Sequence, residues 1–374
     1  MAGVYIHIPF CRKACHYCNF HFSTSLQLQE DFVTALLREI ELQQSYLSEP
    51  VSTIYFGGGT PSVLPSADIK NIIFCLKKNF IIDNNAEITL EGNPDDITFE
   101  KLEEWKEIGI NRLSIGIQSF GQEDLIWMNR AHNAQQTFDC ITLAQKAGFN
   151  NLTIDLIYGT PTLSEEAWEK NVKTAIALQI PHLSCYALTV EPKTALAEMI
   201  KQKAVADVDT EKQARHFELL MQWMGEAGYE HYEISNFAKP GFRSRHNSSY
   251  WQGKSYVGLG PSAHSFNATS RQWNVSNNAL YIQSILKGVV PFETEILTIQ
   301  QQLNEYIMTS LRTLEGISLE KVKQNFGEDK YETIIRTALP HVHHHHLLIE
   351  YNYLKTTTEG KLLADGIASD LFVV

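Results

Sequence analysis

Three cysteines near the start of the chain have a spacing that suits metal chemistry. Cys11, Cys15 and Cys18 form a C-x3-C-x2-C pattern directly after an apolar run, residues 5–10, that predicts a β-strand. Three thiolates on one short loop can hold three irons of a [4Fe-4S] cluster. The fourth iron would then lack a protein ligand, and a small molecule can bind and react at such an open position. The spacing therefore indicates chemistry at the cluster more than electron storage.

Two other interpretations of this loop remain open. Structural zinc sites usually take four nitrogen or sulfur ligands in paired C-x2-C groups, and His16 or His21 could supply the fourth ligand. Three simply buried cysteines fit less well, because Arg12, Lys13 and Tyr17 make the loop polar.

The first 230 residues alternate short β-rich runs with longer helical patterns. Strands are predicted over residues 3–9, 52–56, 87–91, 112–117, 151–158 and 181–188. Helices are predicted over residues 27–47, 66–79, 98–108, 134–147, 164–178 and 210–227. This alternation implies a parallel sheet, because parallel neighbours need crossover connections. Ligands of such folds gather at the carboxyl ends of the strands.

Motifs able to bind a ligand follow these strands. They are Gly57–Ser62, Glu91–Pro94, Gly116–Phe120, Asn129–His132, Ile154–Gly159 and His182–Leu188. Adjacent glycines let a backbone approach a ligand closely, although they also form simple turns. Glu91 could bind a ribose hydroxyl or an ammonium group, or cap a helix, and Arg130 could clamp a carboxylate or lie in solvent. Asp155 stands among Ile and Leu residues, where burial is costly without a partner.

In order and spacing, these motifs resemble the radical S-adenosylmethionine (SAM) proteins, and among them the oxygen-independent coproporphyrinogen oxidase-like family. The resemblance implies an α/β fold, a partial (β/α)6 barrel with a small C-terminal winged-helix-like domain. It also implies a [4Fe-4S] cluster on Cys11, Cys15 and Cys18, with SAM on the open iron. By position, it places these residues around SAM: Tyr5, Tyr17, Gly58, Gly59, Thr60, Glu91, Gln118, Arg130, Asp155 and Ala187.

Two sequence features indicate to which branch of that family the chain is most similar. The oxidase has a further cysteine two residues after the third, where this chain has Phe20. The HNxxYW stretch from His246 through Tyr250 to Trp251 resembles the heme-binding motif of the family's heme chaperones. An imidazole can ligate heme iron, and the two aromatic rings offer flat apolar faces for a porphyrin. The alternative interpretation is structural: the histidine caps a helix, and the two aromatic side chains pack under the barrel. His264 is a second candidate contact with SAM or porphyrin.

The remaining sequence predicts three parts: the barrel over 1–230, the HNxxYW segment and a barrel-closing connection over 231–294, and the C-terminal domain over 295–374. That domain should contain helices over 300–314, 318–325 and 329–338, a β-pair over 347–357 and a last helix over 359–370. A lid over the substrate mouth fits better than DNA binding, because phosphates require positive charge and the formal net charge is −12. The His341–His346 run is expected to be a polar loop, with metal binding or heme transfer as the alternative.

The resemblance implies a heme chaperone that binds [4Fe-4S], SAM and heme and delivers heme to a recipient hemoprotein, with a respiratory-chain cytochrome as one candidate. The alternative is an oxygen-independent coproporphyrinogen III dehydrogenase. Six cysteines without a secreted pattern and the lack of a signal-peptide pattern predict a cytoplasmic protein. No apolar run approaches the ~20 residues of a membrane span. No nucleic-acid partner is expected, and the protein should be a monomer or a homodimer.

Overall fold

Six apolar strands, each followed by at least one helix, form the centre of the molecule. The computed structural model describes residues 1–373. The strands are β1 (Ala2–Ile8), β2 (Val51–Gly58), β3 (Ile82–Gly92), β4 (Arg112–Gln118), β5 (Leu152–Tyr158) and β6 (His182–Ala187). They lie side by side in chain order, all parallel. This confirms the predicted α/β partial barrel.

Helices cover these strands and bury the main hydrophobic core and a second, smaller apolar cluster. They are α1 (Gln29–Leu42), α2 (Ser66–Asn79), α3 (Phe99–Ile108), α4 (Gln122–Trp127), α5 (Ala134–Lys146), α6 (Glu165–Ala177), α7 (Ala195–Lys201) and α8 (Thr210–Glu226). Their starts follow from local sequence: Asn133 and Gln136 form a capping box on α5, for example. The short helices α4 and α7 were not predicted, because six or seven residues carry too little periodicity to stand out.

The sheet continues beyond the six parallel strands on both sides, which the sequence analysis did not predict. The added elements are β7 (Glu230–Glu233), β8 (Asn236–Ala238), α9 (Arg245–Trp251), β9 (Tyr256–Leu259), β10 (His264–Phe266), β11 (Ser270–Asn274), α10 (Asn278–Leu286) and β12 (Phe292–Ile296). The order is β12-β11-β10-β9-β1-β2-β3-β4-β5-β6-β8-β7. Strand β9 runs parallel to β1, whereas β8 is antiparallel to β6. The predicted middle segment therefore belongs to the same sheet as the barrel.

The C-terminal domain has its own core and a separate three-stranded antiparallel sheet, ordered β13-β15-β14. Its elements are α11 (Ile299–Leu311), β13 (Ile317–Ser318), α12 (Leu319–Phe326), α13 (Glu328–His343), β14 (Leu347–Glu350), β15 (Tyr353–Thr356), α14 (Thr358–Lys361) and α15 (Ala364–Asp370). The single last helix predicted over 359–370 is two helices. The prediction of a loop over the histidine run is also wrong for its first three residues, because α13 continues through Pro340 to His343.

Main-chain hydrogen bonds join the C-terminal domain to the barrel. The amide of Ile234 donates to the Arg312 carbonyl, and the amide of Leu314 donates to the Tyr232 carbonyl, both at 3.0 Å. The Arg312 guanidinium also lies 3.4 Å from the buried Glu233 carboxylate. Within residues 1–373, no helix is both long enough and apolar enough to cross a bilayer.

A buried polar network ties the strands together near their amino ends. Arg112, the first residue of β4, is 1% exposed, and its Nε lies 4.0 Å from Oε2 of the buried Glu87. Its guanidinium also donates to the Thr153 hydroxyl, which lies 3.0 Å from Nδ1 of His182. The other His182 nitrogen lies 2.7 Å from the Tyr232 hydroxyl. Strands β3 to β7 are therefore linked inside the barrel by one chain of polar contacts.

We expect Arg112→Met to lower the free energy of unfolding by about 3–5 kcal/mol, because it leaves the buried Glu87 carboxylate without its cation. Arg38→Met is the matched control, since Arg38 forms a half-exposed pair with Glu41 and should lose only about 0–1 kcal/mol. Urea denaturation measures both. Equal losses in the two variants would contradict a structural role for the buried pair.

Candidate cofactor site

The three cysteines lie on the loop between β1 and α1, at the carboxyl end of the first strand. The amide of Cys11 donates to the Ser23 carbonyl at 3.0 Å, which closes the base of this loop. The buried sulfur of Cys11 accepts a hydrogen bond from the Thr60 hydroxyl at 3.3 Å. The sulfur of Cys15 accepts one from the Arg130 guanidinium at 3.1 Å. All three cysteines are free thiols and can therefore act as metal ligands.

The donor set of this loop fits an iron–sulfur cluster better than a single zinc ion. A zinc ion needs all its ligands within about 2.0–2.3 Å of one point. No group of three His, Cys, Asp or Glu side chains in the described part of the chain is placed to hold one ion. His21, a candidate fourth zinc ligand, has Nε2 at 2.7 Å from Oδ1 of Asn278. In a [4Fe-4S] cluster each thiolate binds a different iron, so the three sulfurs need not meet at one point.

Burial and the neighbouring groups shift the pKa values of these thiols in opposite directions. Burial raises the pKa of Cys11 to about 11 and raises the pKa of Cys18 as well. The positive charge of Arg130 and the Thr60 hydroxyl act in the opposite direction on Cys11. Both thiols therefore keep their protons until a bound cation replaces them, after which the arginine and the hydroxyl stabilise the thiolate.

The glycine segment after β2 packs directly against the cysteine loop. Gly58 has a φ of +104°, and a Cβ there would lie 2.6 Å from the His7 ring. A Cβ on Gly59 would lie 2.7 Å from the Phe10 carbonyl oxygen. No side chain fits at either position, so the backbone reaches the loop only because both residues are glycine.

The guanidinium of Arg130 connects the loop to the ends of two further strands. One nitrogen, Nη1, donates to the sulfur of Cys15 and lies 3.4 Å from the Tyr17 hydroxyl. The other, Nη2, donates to Oδ1 of Asn93 at 2.7 Å and to the Gly116 carbonyl at 2.6 Å. Nε is buried and has no protein partner among residues 1–373. Arg130 thus holds the β3 and β4 ends against the cysteines and keeps one buried donor for a ligand.

Two acidic side chains, Glu91 and Asp155, lie deeper in the barrel and form no ion pair with a residue of the described chain. Burial raises the pKa of Glu91 to about 8 and that of Asp155 to about 6, and the negative charge of Asp155 contributes to the Glu91 shift. The Tyr55 hydroxyl donates to Oε1 of Glu91 at 2.7 Å. Within residues 1–373, no Lys, Arg or His nitrogen lies within 4.0 Å of either carboxylate. Such a pair suits a ligand that brings hydroxyl groups or positive charge.

The other residues predicted around SAM occupy the same end of the barrel or its wall. Tyr5 and Glu91 both lie next to Gly57: a Cβ on that glycine would lie 3.0 Å from Cε2 of Tyr5 and 3.2 Å from Oε1 of Glu91. Gln118 ends β4 with a φ of +65°, a left-handed conformation that favours glycine. Ala187 ends β6 opposite Tyr158 of β5. Their roles around SAM stay predictions.

The HNxxYW segment is placed differently from what the sequence predicted. It forms α9, and His246 is 1% exposed inside the barrel. Its Nδ1 lies 2.8 Å from the Thr53 hydroxyl and its Nε2 lies 2.8 Å from the Tyr250 hydroxyl. Its ring stacks on Tyr55 at 4.9 Å, and burial lowers its pKa to about 3. Neither ring nitrogen is free, so His246 does not present a ligand to heme iron in this structure.

Helix α9 instead fills the amino end of the barrel, away from the cysteine loop. The Glu87 carboxylate accepts the amides of Arg245 and His246 at 3.2 and 3.0 Å, which satisfies the start of the helix. Trp251 carries the Arg312 guanidinium over its ring at 5.4 Å. The alternative of a helix-capping histidine is also wrong, because Ser244 is the N-cap of α9 and His246 lies within the helix. His264 is exposed, begins β10 and stacks on Trp273, so its contact with a ligand stays a prediction.

Sequence reasoning missed several residues that shape the site. Thr53, Tyr55 and Gly57 alternate along β2, and this period of two could have placed them on one face toward the interior. Arg112 was included only as the first residue of a predicted strand, where a charged residue normally marks a solvent-exposed boundary. Its burial depends on Glu87, and no local pattern connects these two positions.

Comparisons with known proteins agree with this geometry. Residues 5–175 match the family model of the Radical SAM superfamily. The chain is 34% identical to the heme chaperone HemW of Bacillus subtilis (strain 168), over 87% of each chain. It is 32% identical to the heme chaperone HemW of Mycobacterium tuberculosis (strain ATCC 25618 / H37Rv), over 99% of this chain and 94% of that one. The structure of coproporphyrinogen III oxidase (HemN) from Escherichia coli has the same fold, with a TM-score of 0.86 over 100% of this chain and 90% of that one at 23% identity.

The barrel, its cysteine loop and the matched segment define a radical SAM protein. This class implies a [4Fe-4S] cluster and SAM as cofactors, as predicted. Because identity above 30% extends over most of the chain, the protein belongs to the HemW family of heme chaperones. The predicted heme-chaperone branch is therefore confirmed at the level of the family.

Because the pKa of Glu91 is raised in the folded chain, we expect the cofactor-free protein to lose stability as the pH rises. Its pKa is about 8 in the folded chain against 4.5 for an ordinary glutamate, so the folded state binds more protons between these values. Glu91→Gln should therefore raise Tm at pH 8.5, by about 2–4 °C, and change it little at pH 5. Thermal unfolding across this range, with the exposed Glu103→Gln as control, measures the effect. A constant difference at every pH would contradict it.

His246→Ala should lower the free energy of unfolding by about 2–4 kcal/mol, because it opens a cavity and leaves the Thr53 and Tyr250 hydroxyls without a partner. Tyr250→Phe removes only one of these hydrogen bonds and should cost about 1 kcal/mol. Chemical denaturation of both variants measures the difference. If His246→Ala were as stable as the unmodified protein, its structural role in the barrel would be refuted.

Proposed function

We propose that this chain is a heme chaperone that binds heme and delivers it to recipient hemoproteins. The observation that carries the proposal is the similarity to curated heme chaperones over both the barrel and the C-terminal domain, 99% of this chain in one case. Phe20 supports this branch, because it stands where the oxidase signature has a further cysteine. It is 66% exposed and offers no metal ligand beside the other three.

In this proposal Cys11, Cys15 and Cys18 hold three irons of the cluster. When bound, the cluster supplies an iron with a vacant coordination position, at which SAM can be chelated. Two features of the chain support this placement. Thr60 and Arg130 already contact two of the sulfurs, and both stabilise negative charge there.

The residues around SAM are proposed to act by their chemistry. The backbone of Gly58 and Gly59 receives the ligand closely, and Glu91 and Asp155 face its hydroxyl groups or positive charge. The buried Nε of Arg130 can donate to a carboxylate. Tyr5, Tyr17, Thr60, Gln118 and Ala187 complete the proposed lining.

Delivery is proposed to take place in the cytoplasm, to a hemoprotein such as a respiratory-chain cytochrome. The six cysteines are all free thiols, which fits a reducing compartment. The acidic net charge of −12 does not suit a nucleic-acid partner.

The proposal can be tested by measuring iron content, sulfide content and hemin binding of the anaerobically reconstituted protein. We expect about three to four irons per chain, with acid-labile sulfide, loss of this cluster in Cys15→Ser, and a Soret shift on titration with hemin. Loaded protein should then transfer its heme to an excess of an apo-hemoprotein, followed by the spectrum of the recipient. A protein that binds no hemin, or that converts coproporphyrinogen III with SAM and a reductant, would overturn the chaperone assignment.

A further inference from the structure

The burial of His246 leaves open which imidazole could bind a heme iron, and a cavity elsewhere offers several. This cavity, of about 670 Å³, lies between α8 and the C-terminal domain. Its volume lies within the roughly 300–1,000 Å³ of pockets that bind small molecules and cofactors. His341, His344 and His346 line its C-terminal side, and Phe217 lies on the barrel side.

The imidazoles of this cavity lie close together. The ring centres of His344 and His346 are 6.0 Å apart, and those of His341 and His346 are 6.1 Å apart. Nε2 of His341 already contacts Oδ2 of Asp370 at 3.1 Å. For the ring nitrogens of His344 and His346, no hydrogen-bond partner is found among residues 1–373. These two histidines can therefore supply a lone pair without breaking an existing bond.

The donor geometry distinguishes between a bare metal ion and a heme. No three potential ligands within the described residues are arranged around one ion, which a bare ion requires. A heme iron receives four nitrogens from its own macrocycle and needs only one or two ligands from the protein. The walls of the cavity also suit a flat apolar ring, because Phe217, Leu363 and Ile367 contribute to them.

Two cations can meet the propionates of such a ring. The Lys361 ammonium lies 2.9 Å from Nδ1 of His231, and within the chain up to residue 373 no carboxylate lies within 4.0 Å of it. Burial lowers its pKa to about 8, and an anion beside it would raise that pKa again and stabilise the ammonium form. Arg312 also lines the cavity, although Glu233 and Asp365 share its guanidinium.

We propose that the cavity between α8 and the C-terminal domain binds heme, with His344 or His346 as an axial ligand and Lys361 facing a propionate. This inference rests on the proposed heme-chaperone function. In the binding step an imidazole nitrogen donates its lone pair to ferric iron in place of water or hydroxide, and no electron is transferred. The C-terminal domain thereby supplies the ligand, and the barrel supplies one wall.

The experiment is a hemin titration of the full-length protein, read by the Soret band and by electron paramagnetic resonance of the ferric iron. His344→Asn/His346→Asn is the test variant. His343→Asn/His345→Asn is its matched control, because it makes the same change in the same run at residues that do not line the cavity. Asparagine also tolerates the positive φ of His345. We expect the test variant to raise the Kd for hemin at least about tenfold, and the control to leave it unchanged.

A second variant keeps the test informative if the first alters folding. Lys361→Met should speed hemin dissociation and keep the axial-ligand spectrum, and His246→Ala should keep that spectrum in its folded fraction. Unchanged binding in His344→Asn/His346→Asn, or equal weakening in both double variants, would overturn the cavity as the site while leaving the chaperone function intact. If the unmodified protein bound no hemin, the proposed function itself would fail.

Discussion

The guanidinium of Arg130 is the contact on which the proposed cofactor site depends. It is partly buried, donates to the sulfur of Cys15, and also holds the ends of β3 and β4 through Asn93 and Gly116. Removing a cation from water is costly unless it is paired, and here sulfur, amide and carbonyl acceptors share that role. The cysteine loop is therefore fixed against the barrel by charge as well as by packing, and it keeps an electropositive neighbour for thiolate ligands.

The two ends of the barrel serve different purposes. The carboxyl end holds three free thiols, a glycine segment and two carboxylates that form no ion pair within residues 1–373. At the amino end, the buried Arg112 and Glu87 side chains form an ion pair. The two buried histidines, His182 and His246, each contact the hydroxyls of one threonine and one tyrosine. This division matches the general rule for parallel barrels, in which chemistry occurs at one end and stability is supplied at the other. A histidine in a sequence motif can therefore have a ligand-binding role or a structural role, and its hydrogen-bond partners show which one it has.

Much of the fold could be predicted from the sequence, because the parallel strands are apolar runs and the helices have a clear period. The cysteine loop and the strand-end motifs were also visible, since each is local. The edge strands were missed because they are short: β8 and β10 have only three residues each, too few to show a period of two. The burial of His246 could not be predicted, because it depends on Thr53 and Glu87, which lie far away in the sequence.

The pairing of β9 with β1 has a consequence for the order of events during synthesis. The cysteine loop leaves the ribosome among the first residues, but the second neighbour of its strand, Tyr256–Leu259, follows more than two hundred residues later. The contact between Thr53 and His246 spans 193 residues. Contacts of such high sequence separation form late, because the connecting chain must first be ordered. The strand that leads into the cysteine loop therefore gains its second neighbour only after the chain has been synthesised as far as residue 259.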